Sequence, residues 1–339
     1  MGIARASGQA LVRRWWVRAG RWGLAAGLAL TLGSVAWAGY PERPVKLIVP
    51  FPPGGPNDVV ARLVAEPMGQ RLGQPVVIDN RAGAAGLVGS EAGARAAPDG
   101  YTLTLGSTSS HSLPTLLGQK INYSPTHSFA PVGLIGQTPT VLLVSSRLPI
   151  HSFAELVSYA KANPGRLNYA SSGNGTLNHL VMEAFKAQTG TFMVHVPYRG
   201  TGQAMADLLA GEIDLMFDAV ITATRHVKAG KVRALAVSST RRAADLPEVP
   251  SMDELGLKHF EGDLWVGILA PAGTPSAITN RLNEALQATL RDPAVQARMG
   301  NLGFVPEPGP VQALSDHMQS VQRTWAGVVR ERNLTSQLK

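Results

Sequence analysis

Two short stretches hold the residue types that could bind an anion. The first is Phe51-Pro52-Pro53-Gly54-Gly55-Pro56-Asn57-Asp58, and the second is Ser171-Ser172-Gly173-Asn174-Gly175-Thr176. In both, glycines let backbone N–H groups approach a ligand closely. The second stretch adds Ser and Thr hydroxyls. A helix starting directly after each would add the partial positive charge of its N-terminus. Two such sites facing one space suit a small organic acid. Each stretch also has a plainer reading. The first could be a βα turn with no ligand, and the second could cap its own helix.

The elements that must position these residues are legible. Residues 45–49 are apolar with β-branched residues and read as a buried strand. Residues 59–72 read as a helix with an apolar stripe, capped by Asn57 or Asp58 and with a kink expected at Pro67. Residues 167–170 read as a strand and 177–188 as a helix around the second stretch. Further strands are expected at 76–80, 101–105, 132–135, 140–144, 192–197, 215–217, 234–237 and 264–269. Ser152 should cap a helix over 153–162, and amphipathic helices close the chain at 275–290, 293–299 and 311–333. Alternation of strand and helix predicts an α/β fold with mainly parallel sheets flanked by helices, and ligands at the C-terminal ends of strands.

Other strand ends supply further candidates. Ser107, Thr108, Ser109 and Ser110 follow one strand, Tyr198-Arg199-Gly200-Thr201 another, and Asp218 a third. Arg199 could meet a distal carboxylate bidentately or sit solvated on the rim. Asp218 could repel a second carboxylate, hold a ligand amine or hydroxyl, or cap the next turn. Phe51 could wall a pocket or be an ordinary core aromatic.

Signatures of catalysis are missing. None of the 8 histidines forms HExxH, and no GxSxG elbow occurs. Gly173-Asn174-Gly175 begins a dinucleotide fingerprint, but Asn178 stands where the third glycine belongs. The regular glycines of Gly83-Ala84-Ala85-Gly86-Leu87-Val88-Gly89 resemble a nucleotide loop, but tight helix-to-sheet packing explains them as well and is the favoured reading. His179 and Glu183 at helical spacing could suggest a metal or acid–base pair, but two residues do not complete a site and a surface pair is the favoured reading; His195 reads as core or sheet packing. The expectation is no enzyme, no catalytic residue, no metal and no cofactor.

The N-terminus has the layout of a signal peptide over 1–38. A basic region ends at Arg21, an apolar stretch covers 22–32, and Ala36-Trp37-Ala38 offers a cleavage site. Arg13-Arg14 gives it a twin-arginine look, although Val12 replaces the usual Ser or Thr. The other reading is an uncleaved anchor. Five arginines of this segment account for most of the formal net charge of +8, leaving +3 for the remainder. No basic run points to nucleic acid. With 0 Cys, the 339 residues can form no disulfide, thiolate site or lipid-modified cysteine, so a freely mobile periplasmic protein is expected.

The opening Tyr40-Pro41-Glu42-Arg43-Pro44-Val45 and the PFPPGG turn with its Asp58 are joined by several further segments. These are VVIDNRAG at 76–83, APDGYTL at 97–103, YASSGNGT at 169–176, HVPYRG at 195–200, VRALAV at 232–237 and APAGTP at 270–275. In this order they resemble the Bug-type receptors, the periplasmic solute-binding proteins of tripartite tricarboxylate transporters. The resemblance implies a two-lobed type II periplasmic binding protein with two crossover strands. One lobe would comprise 39–140 and 264–339, the other 141–263. It also implies that the two glycine loops face each other and grip one carboxylate end. Ligand contacts are then expected from Phe51, Gly54, Gly55, Asn57, Asp58, Ser107, Ser109, Ser172, Gly173, Gly175, Thr176, Arg199 and Asp218. The implied role is delivery of a di- or tricarboxylate, or a related acid, to membrane permease subunits by a monomer. A sensory receptor feeding a signalling system and an exported enzyme are the alternatives.

Overall fold

A computed structural model of the chain describes residues 39–258, 260–331 and 334. The signal-peptide reading and its cleavage site lie outside these. Arg43–Lys339 is one compact unit. Its elements begin with β1 (Val45–Val49), α1 (Pro56–Leu72), β2 (Val76–Asn80), α2 (Leu87–Ala94), β3 (Thr102–Ser107) and α3 (Leu113–Leu116). Then come β4 (Phe129–Thr138), β5 (Thr140–Ser145), α4 (Phe153–Ala162), β6 (Asn168–Ser171), α5 (Leu177–Thr189), β7 (Val194–Pro197) and α6 (Thr201–Ala210). The rest are β8 (Leu215–Ala219), α7 (Val220–Lys228), β9 (Val232–Val237), β10 (Leu264–Pro271), α8 (Ser276–Leu290), α9 (Pro293–Gly300), β11 (Val305–Pro306) and α10 (Val311–Glu331).

The strands form two sheets, ordered β11-β4-β10-β3-β1-β2 and β7-β6-β8-β5-β9. Both are mixed rather than mainly parallel. β1 pairs parallel with β2 and β3, and β6 parallel with β7 and β8. β10 and β5 run antiparallel to both their neighbours. The reason is topological. The chain enters each sheet along β5 or β10 from the other sheet, so those strands run against the βα units. The first sheet takes strands from both ends of the chain, while β5–β9 make the second.

Sequence pattern explains the layering. β1 buries every residue but Lys46, which matches a strand covered on both faces. α1 buries Val60, Leu63, Val64 and Met68 and runs through Pro67 as one element. In the second lobe Leu143, Met216, Ala204 and Leu208 share a core. Each fully buried aliphatic side chain contributes about 1.5–3 kcal/mol. α1 starts differently from expectation. Gly55 is its N-cap and Pro56 its first residue, so Asn57 and Asp58 sit inside the first turn. Ser152 caps α4 as expected, accepting the Glu155 N–H at 3.2 Å.

Candidate functional site

The C-terminal ends of β1, β6, β7 and β8 converge on a cavity of about 260 Å³ between the two sheets' lobes. Phe51, Gly55, Asn57, Ser109, Ser172 and Arg199 line it, so the structure brings these candidates together. The N-termini of α1, α5 and α6 contribute Asn57, Leu177 with Asn178, and Thr201 to Gln203, and Ala219 caps α7. Early helical N–H groups have no acceptor inside their helix and can be taken by a neighbouring hydroxyl or by a ligand. Among the described residues Arg199 is the one charged side chain in the lining. Its guanidinium has no hydrogen bond or ion pair with any described residue.

The lobes touch around this cavity. Ser109 Oγ accepts the Leu177 N–H at 3.0 Å, linking the first lobe to the start of α5. Pro52 lies so close to Gly200 that a Cβ there would meet Pro52 Cγ at 2.7 Å. The Gly55 backbone similarly faces the Thr201 hydroxyl.

The first loop is anchored by charge. Asp58 accepts the Gly54 N–H at 2.9 Å, Arg62 Nε at 2.9 Å, Arg62 Nη2 at 3.0 Å and Asn80 Nδ2 at 2.9 Å. Asn80 Nδ2 also donates to the Phe51 carbonyl at 3.1 Å. Burial alone would raise the Asp58 pKa, but the bonds from Arg62, Gly54 and Asn80 outweigh it and hold it below the usual range. Gly54 and Asp58 therefore shape the loop from behind and do not line the cavity. Asn57 does line it, and its buried side-chain oxygen has no partner.

The second loop is anchored by a largely buried cluster in which two imidazoles stand beside the Glu183–Lys186 ion pair. Ser171 Oγ lies 2.7 Å from His195 Nε2, and the Gly175 N–H donates to His179 Nδ1 at 3.1 Å. That bond assigns the His179 proton to Nε2, which lies 3.9 Å from Glu183 Oε1. The two imidazoles stack with centroids 3.9 Å apart. The Tyr169 hydroxyl donates to Glu183, whose carboxylate also takes Lys186 Nζ at 2.6 Å. Burial, then the neighbouring His195 and Lys186, lowers the His179 pKa to about 3. Burial pulls His195 down to about 4. Both rings are neutral in ordinary buffers, so His179 stays an acceptor.

This corrects two expectations. His179 and Glu183 are no surface pair, because α5 is buried on nearly every side. The Gly175 N–H and the Thr176 hydroxyl do not reach the cavity: one bonds His179, and the other donates to the Gly173 carbonyl at 2.7 Å. Sequence gave the spacing of His179 and Glu183 but not their burial. The register pair Tyr169 with His195 needs the sheet.

The remaining candidates also lie apart from the cavity. Ser107 is buried and faces the Ser110 hydroxyl at 3.2 Å. Ser110 in turn meets His111 Nδ1 at 2.8 Å, in a core with Tyr123, Phe129 and Trp265. Asp218 accepts the Thr222 hydroxyl at 2.8 Å, the capping role, and does not line the cavity. Burial raises its pKa to about 7, against the opposing pull of Thr222, Ala219 and Arg225. Among the described residues no group of three or more His, Cys, Asp or Glu could hold a metal ion, and no helix is long and apolar enough to cross a membrane.

The chain is similar to known proteins in sequence and in fold. The model of the tripartite tricarboxylate transporter family receptor, TctC, matches residues 60–334. The periplasmic binding protein BugD superposes with TM-score 0.83 at 38% identity, over 87% of this chain and 99% of that one. An R. palustris protein solved with adipate gives TM-score 0.84 at 34% identity, over 87% and 98%. MatC from Rhodopseudomonas palustris, solved with bound malate, gives 0.81 at 35% identity, over 86% and 100%.

Proposed function

Because the chain belongs to the tripartite tricarboxylate transporter receptor family, TctC, we propose that it closes its two lobes on a small organic acid and delivers it to membrane permease subunits. The observation that carries the choice of ligand is the charge of the lining. Helix N-termini and Arg199 face the cavity, and among the described residues no carboxylate does. One ligand carboxylate would lie among the N–H groups of the two loops, where charge-assisted bonds are strongest. Diacids should outrank amino acids, because no acidic side chain waits for an ammonium group. Solved relatives holding adipate and malate support this size and class.

In this reading the mature protein is an exported, soluble periplasmic receptor, and the bound acid leaves unchanged. Closure follows from linkage, since a ligand touching both lobes favours the state in which both contacts exist. A thermal-shift screen tests it. Malate, succinate or adipate should raise Tm with the logarithm of concentration. Stabilisation by sugars or amines, with none by any acid, would refute it.

A further inference from the structure

Beyond the cavity lies a second, wider groove of about 800 Å³. The two are contiguous, since Phe51, Pro52, Ser172 and Arg199 line both. Three observations set this groove apart. First, its charged lining is Lys120 from the first lobe and Arg199 from the second, with no acid. Neither cation has a hydrogen bond or ion pair with any described residue. Second, Gln119 reaches into it, and its side-chain oxygen is buried without a partner.

Third, its wall is strained. Ala84 and Ala85 have φ of 45° and 57°, in the left-handed region that non-glycine residues rarely occupy. Consecutive alanines held this way persist only where the surroundings over-determine them, and such strain gathers at ligand sites. Helix-to-sheet packing does account for Gly89 and Gly93, where a Cβ would strike Pro50 and Thr104. It does not account for Ala84 and Ala85, which face the groove.

We propose that the groove is an outer anion subsite, where Lys120 and Arg199 jointly take the far carboxylate of an elongated diacid whose near carboxylate occupies the inner cavity. This rests on the carboxylate reading above. Two unpaired cations from opposite lobes repel each other as the cleft shuts, and a carboxylate between them removes that repulsion. A short acid such as malate ends inside the inner cavity and leaves the pair uncompensated. A longer one such as suberate passes Phe51 and reaches both. The subsite therefore selects for length while the inner cavity selects for charge.

Calorimetric titration of full-length mature protein with malate, succinate, adipate and suberate tests this. In the wild type, affinity should rise along the linear diacids. In Lys120→Gln the ratio of suberate to succinate affinity should fall about 3- to 10-fold, and in Lys120→Glu further still. Lys120 is exposed, so both variants should fold, which Tm confirms. An unchanged ratio overturns the subsite. So does an equal loss for every acid, which would mean that Lys120 only steers anions inward. If no acid binds the wild type, the carboxylate reading fails and this inference falls with it. If short acids bind and the ratio stays flat, only the outer subsite falls.

Discussion

The two lobes present the same topology with differently anchored loops. The first sheet reads β2-β1-β3-β10-β4 and the second β7-β6-β8-β5-β9, each a parallel triplet followed by an antiparallel incoming strand. In each, the first strand of a βα unit leads through glycines into a helix that opens on the cleft. Behind the first loop stands a carboxylate, Asp58, gripped by Arg62, whose own side chain is largely solvent-exposed. Behind the second stands a set of rings and hydroxyls, the buried His179, Tyr169 and Ser171 with the half-buried His195, whose imidazoles stay neutral. A neutral anchor suits a loop that must hold an anion without adding positive charge deep in the core. A charged anchor at a half-exposed edge costs less desolvation. The same backbone task is thus met by an ion pair where water is near and by imidazole acceptors where it is not.

The sharpest way to break this contrast is to remove the neutral anchor. His179→Leu leaves the Gly175 N–H unsatisfied and strips Glu183 of a neighbour. A loss of about 2–4 kcal/mol in unfolding free energy is expected, with weakened acid binding. His179→Asn puts an amide oxygen near the position of Nδ1 and should recover much of the affinity. Denaturant unfolding and calorimetry of both variants decide this. Equal damage from Leu and Asn would mean that ring packing, not the Gly175 bond, holds the loop.

The charged anchor should give a smaller effect with a different pH signature. Asp58→Asn keeps the shape but loses the Arg62 pair, for about 1–2 kcal/mol. The native pKa of Asp58 is lowered, so its stabilisation is complete above the unfolded value of about 4 and disappears as pH falls through the native value. The gap between wild type and variant should therefore close in acid. A gap that stays constant down to low pH would remove the ion pair from the explanation.

Contact between the lobes offers a third comparison. Gly200→Ala pushes a methyl against Pro52 in the shut cleft. Affinity should fall about fivefold, near 1 kcal/mol, with an unchanged Tm of the unliganded protein. Unaltered affinity would show that the cleft shuts elsewhere.

The smallest effect concerns equivalent strand ends, Ser107 closing β3 and Asp218 next to last in β8. Asp218 is raised to about 7 by burial, so it folds protonated while the unfolded chain ionises near 4. Its contribution is complete below about pH 4 and is lost as pH rises towards 7. Asp218→Asn mimics the neutral acid. It should match wild type at about pH 3.5 to within about 0.5 kcal/mol and exceed it at pH 8. Equal Tm differences at both values would mean that Asp218 titrates alike in the folded and unfolded chain.

Strand and helix positions were legible because period and turn chemistry are local. β1, β2 and α4 have the bounds expected, and the loops at Gly54-Gly55 and Gly173-Gly175 were visible from glycine spacing. What sequence hid was mostly long-range. The antiparallel β5 and β10 are dictated by passage between lobes. The turn after β3 becomes a short helical segment, Thr108–Ser112, in which Ser110 and Thr108 bond inward while Ser109 lines the cavity. Gly175 and Thr176 looked like ligand groups because their donors are real, yet local acceptors claim both. Arg199 was legible as a candidate, while its place beside Lys120's groove depends on the packed lobes.

Amide hydrogen exchange with and without saturating malate or adipate tests the shared grip most directly. Residues 51–59 and 172–178 belong to different lobes. If one acid is clamped by both loops, both segments should slow together on binding. Protection confined to one segment, with binding confirmed by calorimetry, would contradict it.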